Sequence, residues 1–241
     1  MKKTMLFSAV CASLAAIATT VDSDNTTGVL KVTSDRDYQL ISVPWNELGS
    51  GDADISVATL VNPDQLAGDT SVRLYVANGS GSYDVFKIVD NAWVGCATAT
   101  IGTDGLPVEI TASPSTTVKR GNAVWLKRTT KSDFYIIGQQ TTGTASIKLV
   151  KGNNLIAPTG TTALDIYDWN GKTGCSTGDV ILVPGNSGAD VRLIYKNGAW
   201  YKQTTNNGVT GYTAIEDNEF TIPAGTGFWY TAKNAVDNFT L

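Results

Sequence analysis

Six tryptophans and the absence of histidine define the chemistry open to this chain. A tryptophan ring stacks on the apolar face of a sugar or anchors a protein interface. Without histidine, Ser-His-Asp and Cys-His hydrolase arrangements, His-ligated zinc and iron, and the commonest general base at neutral pH are all excluded. A carboxylate pair or a Ser-Lys pair is what is left for catalysis. Glycoside cleavage needs two acids facing one cleft, and the chain has no distinctive acid cluster. Asp52 and Asp54, in Gly51-Asp52-Ala53-Asp54, can offer oxygens to calcium, but no complete ligand loop follows them. Gly79-Ser80-Gly81-Ser82 leads into no helix, so it reads as a loop and not as a phosphate cradle. The sequence therefore calls for no catalytic residue, no metal and no cofactor.

The tryptophans fall into two groups. Trp93 and Trp200 recur within similar segments, and so do Trp125 and Trp229. Asp84-Val85-Phe86-Lys87-Ile88-Val89-Asp90-Asn91-Ala92-Trp93 matches Asp190 to Trp200 with one residue inserted. Val118 to Trp125 matches Ile222 to Trp229 without a gap, and that match continues through Asp133 and Asp237. Upstream, Leu40-Ile41 pairs with Leu155-Ile156, and Gly68-Asp69 with Gly178-Asp179. The same order of elements thus appears twice, at an offset of 104 to 115 residues. Residues that recur are most simply explained by a shared fold. Trp93, Trp125, Trp200 and Trp229 are therefore expected in the core, with Gly121 and Gly225 as structural glycines. Aspartates such as Asp69 and Asp179 are expected to accept backbone N–H bonds at turns. Trp45 and Trp169 do not recur. Trp45 follows Pro44 at the end of a strand, and Trp169 lies in Asp168-Trp169-Asn170-Gly171, a tight-turn sequence. These two are the candidate ligand-binding residues.

The elements that must carry these residues read as β throughout. Val72 to Val76, Tyr83 to Val89 and Ile147 to Val150 alternate apolar and polar residues, the signature of half-buried antiparallel strands. Asp90-Asn91 and Lys196-Asn197-Gly198 have the composition of tight hairpin turns. The expected fold is all-β, with two tandem, diverged antiparallel β repeats forming sandwich- or barrel-like lobes. The expected organisation is a signal peptide over residues 1–18 and an N-terminal segment over 19–36. Repeat 1 follows over 37–138, a polar linker over 139–146 and repeat 2 over 147–241. Two lobes packed side by side are favoured over one core built from both copies.

Lys2 and Lys3, the apolar run from Met5 to Ile17 and the small-residue site Ala16-Ile17-Ala18 read as a secretory signal. Its removal leaves 16 basic and 22 acidic residues, a net charge of −6. An acidic surface repels phosphate backbones, so nucleic acid is not an expected partner. No later stretch is apolar enough to form a transmembrane segment. The two cysteines left, Cys96 and Cys175, are a possible disulfide in an exported protein, with two separately buried thiols as the alternative.

The order Leu-Ile-x-x-Pro, Gly-Asp, hairpin, Ala-Trp and Ile-Pro-x-Gly-x-Gly-Phe-Trp resembles a largely uncharacterised β repeat of exported proteins from Verrucomicrobia-like bacteria. Ile222 to Trp229 carries that signature best. The first copy departs from it, with Lys119 in place of proline and Ala123-Val124 in place of Gly-Phe. The resemblance implies export and a β fold, and brings no activity with it. The expected function is that of a secreted or cell-envelope protein, non-enzymatic, with a structural or adhesive role toward protein partners or surface glycans. The alternative is a carbohydrate-binding module that uses the loop tryptophans.

Overall fold

A computed structural model of the chain describes residues 26–34, 36–78, 83–96, 116–141, 143–169, 173–184, 190–206 and 208–241. The expected signal peptide and the Gly79–Ser82 loop lie outside these residues. The fold is all-β, and every strand pairing is antiparallel. In the N-terminal half, β2 (Tyr38–Ser42), β8 (Ala123–Lys127), β4 (Arg73–Ala77), β5 (Tyr83–Val89) and β6 (Ala92–Cys96) form a five-stranded sheet in that order. Two short ladders flank it. One is β1 (Thr26–Val32) with β9 (Phe134–Gln140), the other β3 (Ile55–Ser56) with β7 (Thr117–Val118).

The C-terminal half follows the same order. Its sheet is β11 (Gly152–Ile156), β18 (Phe228–Ala232), β13 (Val180–Val183), β14 (Val191–Lys196) and β15 (Ala199–Asn206), extended by an edge strand β16 (Val209–Ala214). The ladders here are β10 (Ser146–Leu149) with β19 (Val236–Thr240), and β12 (Leu164–Asp165) with β17 (Thr221–Ile222). Strand alternation sends Leu74, Val76, Phe86, Val124 and Leu126 to one face of the first sheet. There they pack on Leu30, Val32, Phe134 and Ile136 of the flanking ladder. The second sheet does the same with Ile181, Leu193, Phe228 and Tyr230 against Ile147, Leu149 and Phe239. Each half thus has its own core, and each fully buried Leu, Ile, Val or Phe contributes roughly 1.5–3 kcal/mol.

Turn chemistry positions the strands. Asp90 and Asn91 both take positive φ, 48° and 57°, as do Asn197 and Gly198, at 52° and 81°. Each pair forms a two-residue hairpin whose twist matches that of its strands. Gly121 and Gly225, with φ of 91° and 84°, occupy the third position of two matching turns. Asn122 N–H donates to the Lys119 carbonyl at 3.1 Å in one, and Thr226 N–H to the Pro223 carbonyl at 3.1 Å in the other. A residue with a Cβ is strained at that backbone conformation.

Those two turns also join the halves. Ser42 N–H donates to the Gly225 carbonyl at 3.0 Å, and Ala157 N–H donates to the Gly121 carbonyl at 2.8 Å. Single β-bridges link Ile41 to Thr226 and Ile156 to Asn122. Each contact is thus answered by its counterpart from the other half, the pattern of a two-fold interface within one chain. Leu40, Leu155, Ala123 and Ala157 are buried between the halves, with Trp125 and Trp229 packed against them.

Two expected boundaries need correction. The first half starts before residue 37, because β1, within the N-terminal segment 19–36, pairs with β9 through seven residues and sends Leu30 and Val32 into the core. The linker 139–146 is shorter than expected. Gln139 and Gln140 close β9, Ser146 opens β10, and Gln139 is buried and exchanges backbone hydrogen bonds with Asn46 at 3.0 and 3.2 Å. Polar composition suggested a flexible linker there, but ladder pairing satisfies those backbone groups. No helix among the described residues is long and apolar enough to cross a membrane.

Candidate functional site

Trp45 and Trp169 are not exposed for binding, contrary to expectation. Trp45 is 2% exposed and lies over the glycine pair Gly28–Gly138, which face each other across β1 and β9. A Cβ on Gly28 would come within 2.6 Å of the indole, and one on Gly138 within 2.5 Å of the Trp45 Cβ. Two bare backbones therefore make the slot that the ring fills. Trp169 is 3% exposed. Asn170 and Gly171 of the expected turn lie outside the described residues, and the Trp169 ring itself packs on the sheet. The ring stacks on Trp200 at 6.4 Å and meets Phe239, Phe228 and Tyr230 edge-on at 5.3 to 6.4 Å. Trp93 and Trp200 are both buried, and Trp93 Nε1 donates to the Val61 carbonyl at 2.8 Å.

The accessible tryptophans are the recurring pair expected in the core. Trp125 and Trp229 are half-buried, and their rings meet across the junction of the halves at 6.5 Å with a tilt of 55°. They sit at matching positions of β8 and β18, opposite Leu40 and Leu155. The core they belong to is the thin one between the halves, which covers only part of each ring.

Trp125 opens onto a row of tyrosines on the solvent side of the N-terminal sheet. The registers place Trp125 opposite Tyr75, Ala77 opposite Tyr83, and Tyr38 opposite Lys127. Tyr38 is 51% exposed. Tyr75 and Tyr83 meet edge-on at 6.3 Å, and Lys127 Nζ lies 5.4 Å from the centre of the Tyr38 ring. Tyr38, Tyr75, Tyr83 and Trp125 line a shallow hollow of about 430 Å³. Burial pushes the phenols of Tyr75 and Tyr83 above their ordinary range. Both hydroxyls therefore stay protonated donors at neutral pH.

Tyr38, Tyr75 and Tyr83 were not singled out from the sequence, although a signal was present. In Arg73-Leu74-Tyr75-Val76-Ala77 the inward parity is filled by Leu74 and Val76, so Tyr75 must face out. Its counterpart in the other half is Leu182, and that of Tyr38 is Asn153. An outward aromatic without an aromatic counterpart is not explained by the common fold.

A second hollow, of about 520 Å³, lies on the other side of Tyr83 and runs along the junction to Trp229, with Asn122, Lys151 and Asn153 on its walls. Its size is that of a small-ligand site.

Asp69 and Asp179 accept backbone N–H bonds, as expected. Asp69 accepts the backbone N–H of Ser71, Thr129 and Thr130 at 2.7 to 3.0 Å, together with the Ser71 and Thr129 hydroxyls. Asp179 accepts the backbone N–H of Ser176 and Lys233 and the Tyr230 hydroxyl at 2.6 to 2.7 Å. Thr129 and Lys233 are equivalent positions, so both carboxylates clamp the end of the same strand. Asp133 and Asp237 form matching exposed ion pairs with Lys31 and Lys148 at 2.6 and 2.9 Å.

Partial burial acts to raise the Asp69 carboxyl, but the hydrogen bonds from Ser71, Thr130 and Thr129 outweigh it and hold the group well below the ordinary carboxylate range. Its unfolded value is about 3.9. The stability it contributes is therefore fully present above about pH 4 and is lost as pH falls through the lowered folded value. In Asp69→Asn that component is absent. Denaturant midpoints measured from about pH 6 to pH 2 should fall less steeply in the variant than in the parent chain. Parallel slopes would refute the clamp.

Cys96 and Cys175 do not form a disulfide. Cys96 is buried at the end of β6 in the first half, whereas Cys175 is half-buried against the second core. Each is held by the packing of its own half. Compared with protein-family models, curated proteins and solved structures, the chain matches none.

Proposed function

We propose that this chain is an exported, non-enzymatic β protein with an adhesive role, built from two diverged copies of one repeat. The observation that carries this reading is the aromatic row Tyr38, Tyr75, Tyr83 and Trp125 on the solvent side of the first sheet, continued across the junction by Trp229. Large rings held open to water on a rigid sheet offer contact area at little conformational cost, and such residues dominate binding energy at surfaces. The N-terminal Lys-Lys and apolar run support export, as does the resemblance of Ile222 to Trp229 to the repeat of exported Verrucomicrobia-like proteins. The absence of histidine supports a role without catalysis. Open aromatic faces beside phenol donors favour glycans over protein as the surface contacted, because sugars present both C–H faces and hydroxyls.

Retention of the purified chain on insoluble cell-wall polysaccharide tests the reading. Tyr38→Ala and Trp125→Ala should each lower retention about tenfold, equivalent to about 1.4 kcal/mol of contact energy. Tyr38 is half exposed, so its removal should leave the melting temperature nearly unchanged. Retention equal to that of the parent chain in both variants would overturn the proposal.

A further inference from the structure

We infer that the hollow along the junction is a subsite for an acidic sugar residue; this rests on the glycan-contacting surface proposed above. Tyr83 and Asn122 of the first half and Lys148, Lys151, Asn153 and Trp229 of the second line it. Among the described residues the lining includes two lysines and three asparagines and no Asp or Glu, in a chain whose formal net charge is −4. A cationic hollow on an acidic protein is selective for an anion. Lys148 is held by Asp237 at 2.9 Å. Lys151 is exposed and has no partner among the described residues, so its ammonium is available.

The other groups match the rest of a sugar acid. The partly exposed Trp229 ring offers a flat face for the C–H side of a pyranose. Asn153 Oδ1 is occupied by the Thr231 hydroxyl at 2.7 Å, which turns its two N–H donors toward other acceptors. The Asn122 side-chain amide has no partner among the described residues, and it stands at the turn that bridges to Ile156. Aromatic face, amides and one available cation thus converge from both halves on a space of about 520 Å³, enough for a sugar ring with a carboxylate.

The two-fold pattern of the chain supplies an internal control. The matching hollow of about 320 Å³ is lined by Lys31, Arg36, Gln39 and the Pro223–Thr226 turn. Among the described residues it too has cations and no acid, but no aromatic ring lines it. Of these two hollows, as lined by the described residues, the one with Trp229 combines charge with a stacking face.

The test is titration of the intact chain with trigalacturonate and, separately, with neutral cellotriose, followed by tryptophan fluorescence. Trigalacturonate should bind, more weakly as salt rises, and cellotriose at least about tenfold more weakly. Lys151→Glu should weaken trigalacturonate binding about tenfold, and Asn153→Ala should weaken it for both sugars. Both side chains are exposed, so neither variant risks the fold. Arg36→Ala, in the ring-free hollow, should leave binding unchanged. Equal affinity for the two sugars, or full binding by Lys151→Glu, overturns the subsite. If polysaccharide retention still depends on Tyr38 and Trp125, the adhesive reading stands without it.

Discussion

Alanine at Trp169 is expected to destabilise the C-terminal half by about 3–5 kcal/mol. The indole is the centre of an aromatic cage, stacked on Trp200 and met edge-on by Phe228, Tyr230 and Phe239. Its removal leaves a cavity walled by rigid rings that cannot collapse to fill it. Single domains are held by only about 5–15 kcal/mol, so the loss is a large share of the total. For a half of this size the melting temperature should fall by more than about 10 °C. Phenylalanine at the same position should cost much less. Trp169 Nε1 is buried without a hydrogen-bond partner among the described residues, so the variant keeps most of the ring and loses an unsatisfied donor. Alanine at the half-exposed Trp229 should cost less than at Trp169, because less of that ring leaves water on folding. Urea midpoints that put Trp229→Ala below Trp169→Ala would show that the core assignment is wrong.

A methyl group at Gly227 is expected to disrupt the junction between the halves, and a second substitution should restore it. Gly227 and Ala123 are equivalent positions that meet near the two-fold axis, and a Cβ on Gly227 would lie 2.4 Å from the Ala123 Cβ. Two alanines cannot occupy that point, so one half carries Ala and the other Gly. Gly227→Ala should cost about 1–3 kcal/mol by overpacking. Ala123→Gly alone should cost about 0.5–1 kcal/mol, the usual penalty of glycine within a strand. The exchange Ala123→Gly with Gly227→Ala keeps one methyl at the axis, where its next neighbour is the Leu40 Cβ at 3.2 Å. The double variant should therefore be more stable than Gly227→Ala, with a coupling energy of about 1–3 kcal/mol. Denaturant unfolding of the four proteins measures this, and additive losses would refute the shared position.

The all-β character was legible in the sequence because strand alternation and tight turns are local. Asp90-Asn91 and Asn197-Gly198 announce their hairpins by composition alone, since those residue types tolerate positive φ. Gly121 and Gly225 were legible for the same reason, and so were the local bonds of Asp69 to Ser71 and of Asp179 to Ser176, but their clamps on Thr129, Thr130 and Lys233 join distant segments and were not.

The burial of Trp93 and Trp200 was legible, but the exposure of the other four tryptophans was not, and for those four the outcome is the reverse of the expectation. Trp45 is buried because Gly28 and Gly138, more than 100 residues apart, are brought into register and leave its ring a slot. Trp169 is buried because its ring packs against Phe228 of β18 and Phe239 of β19, far along the chain. The reach of β1 into the first core was hidden likewise, because its partner β9 follows it by about a hundred residues. Recurrence in the sequence marks a position that the fold uses twice, but it does not say whether that position faces a deep core or the seam between two copies. Trp125 and Trp229 lie at the seam. Thus the sequence by itself determined strands, turns and the twofold order of elements, which depend on neighbours in the chain. Only the tertiary structure decided which rings meet water, because exposure depends on what the strands of each half, and the two halves together, bring into contact.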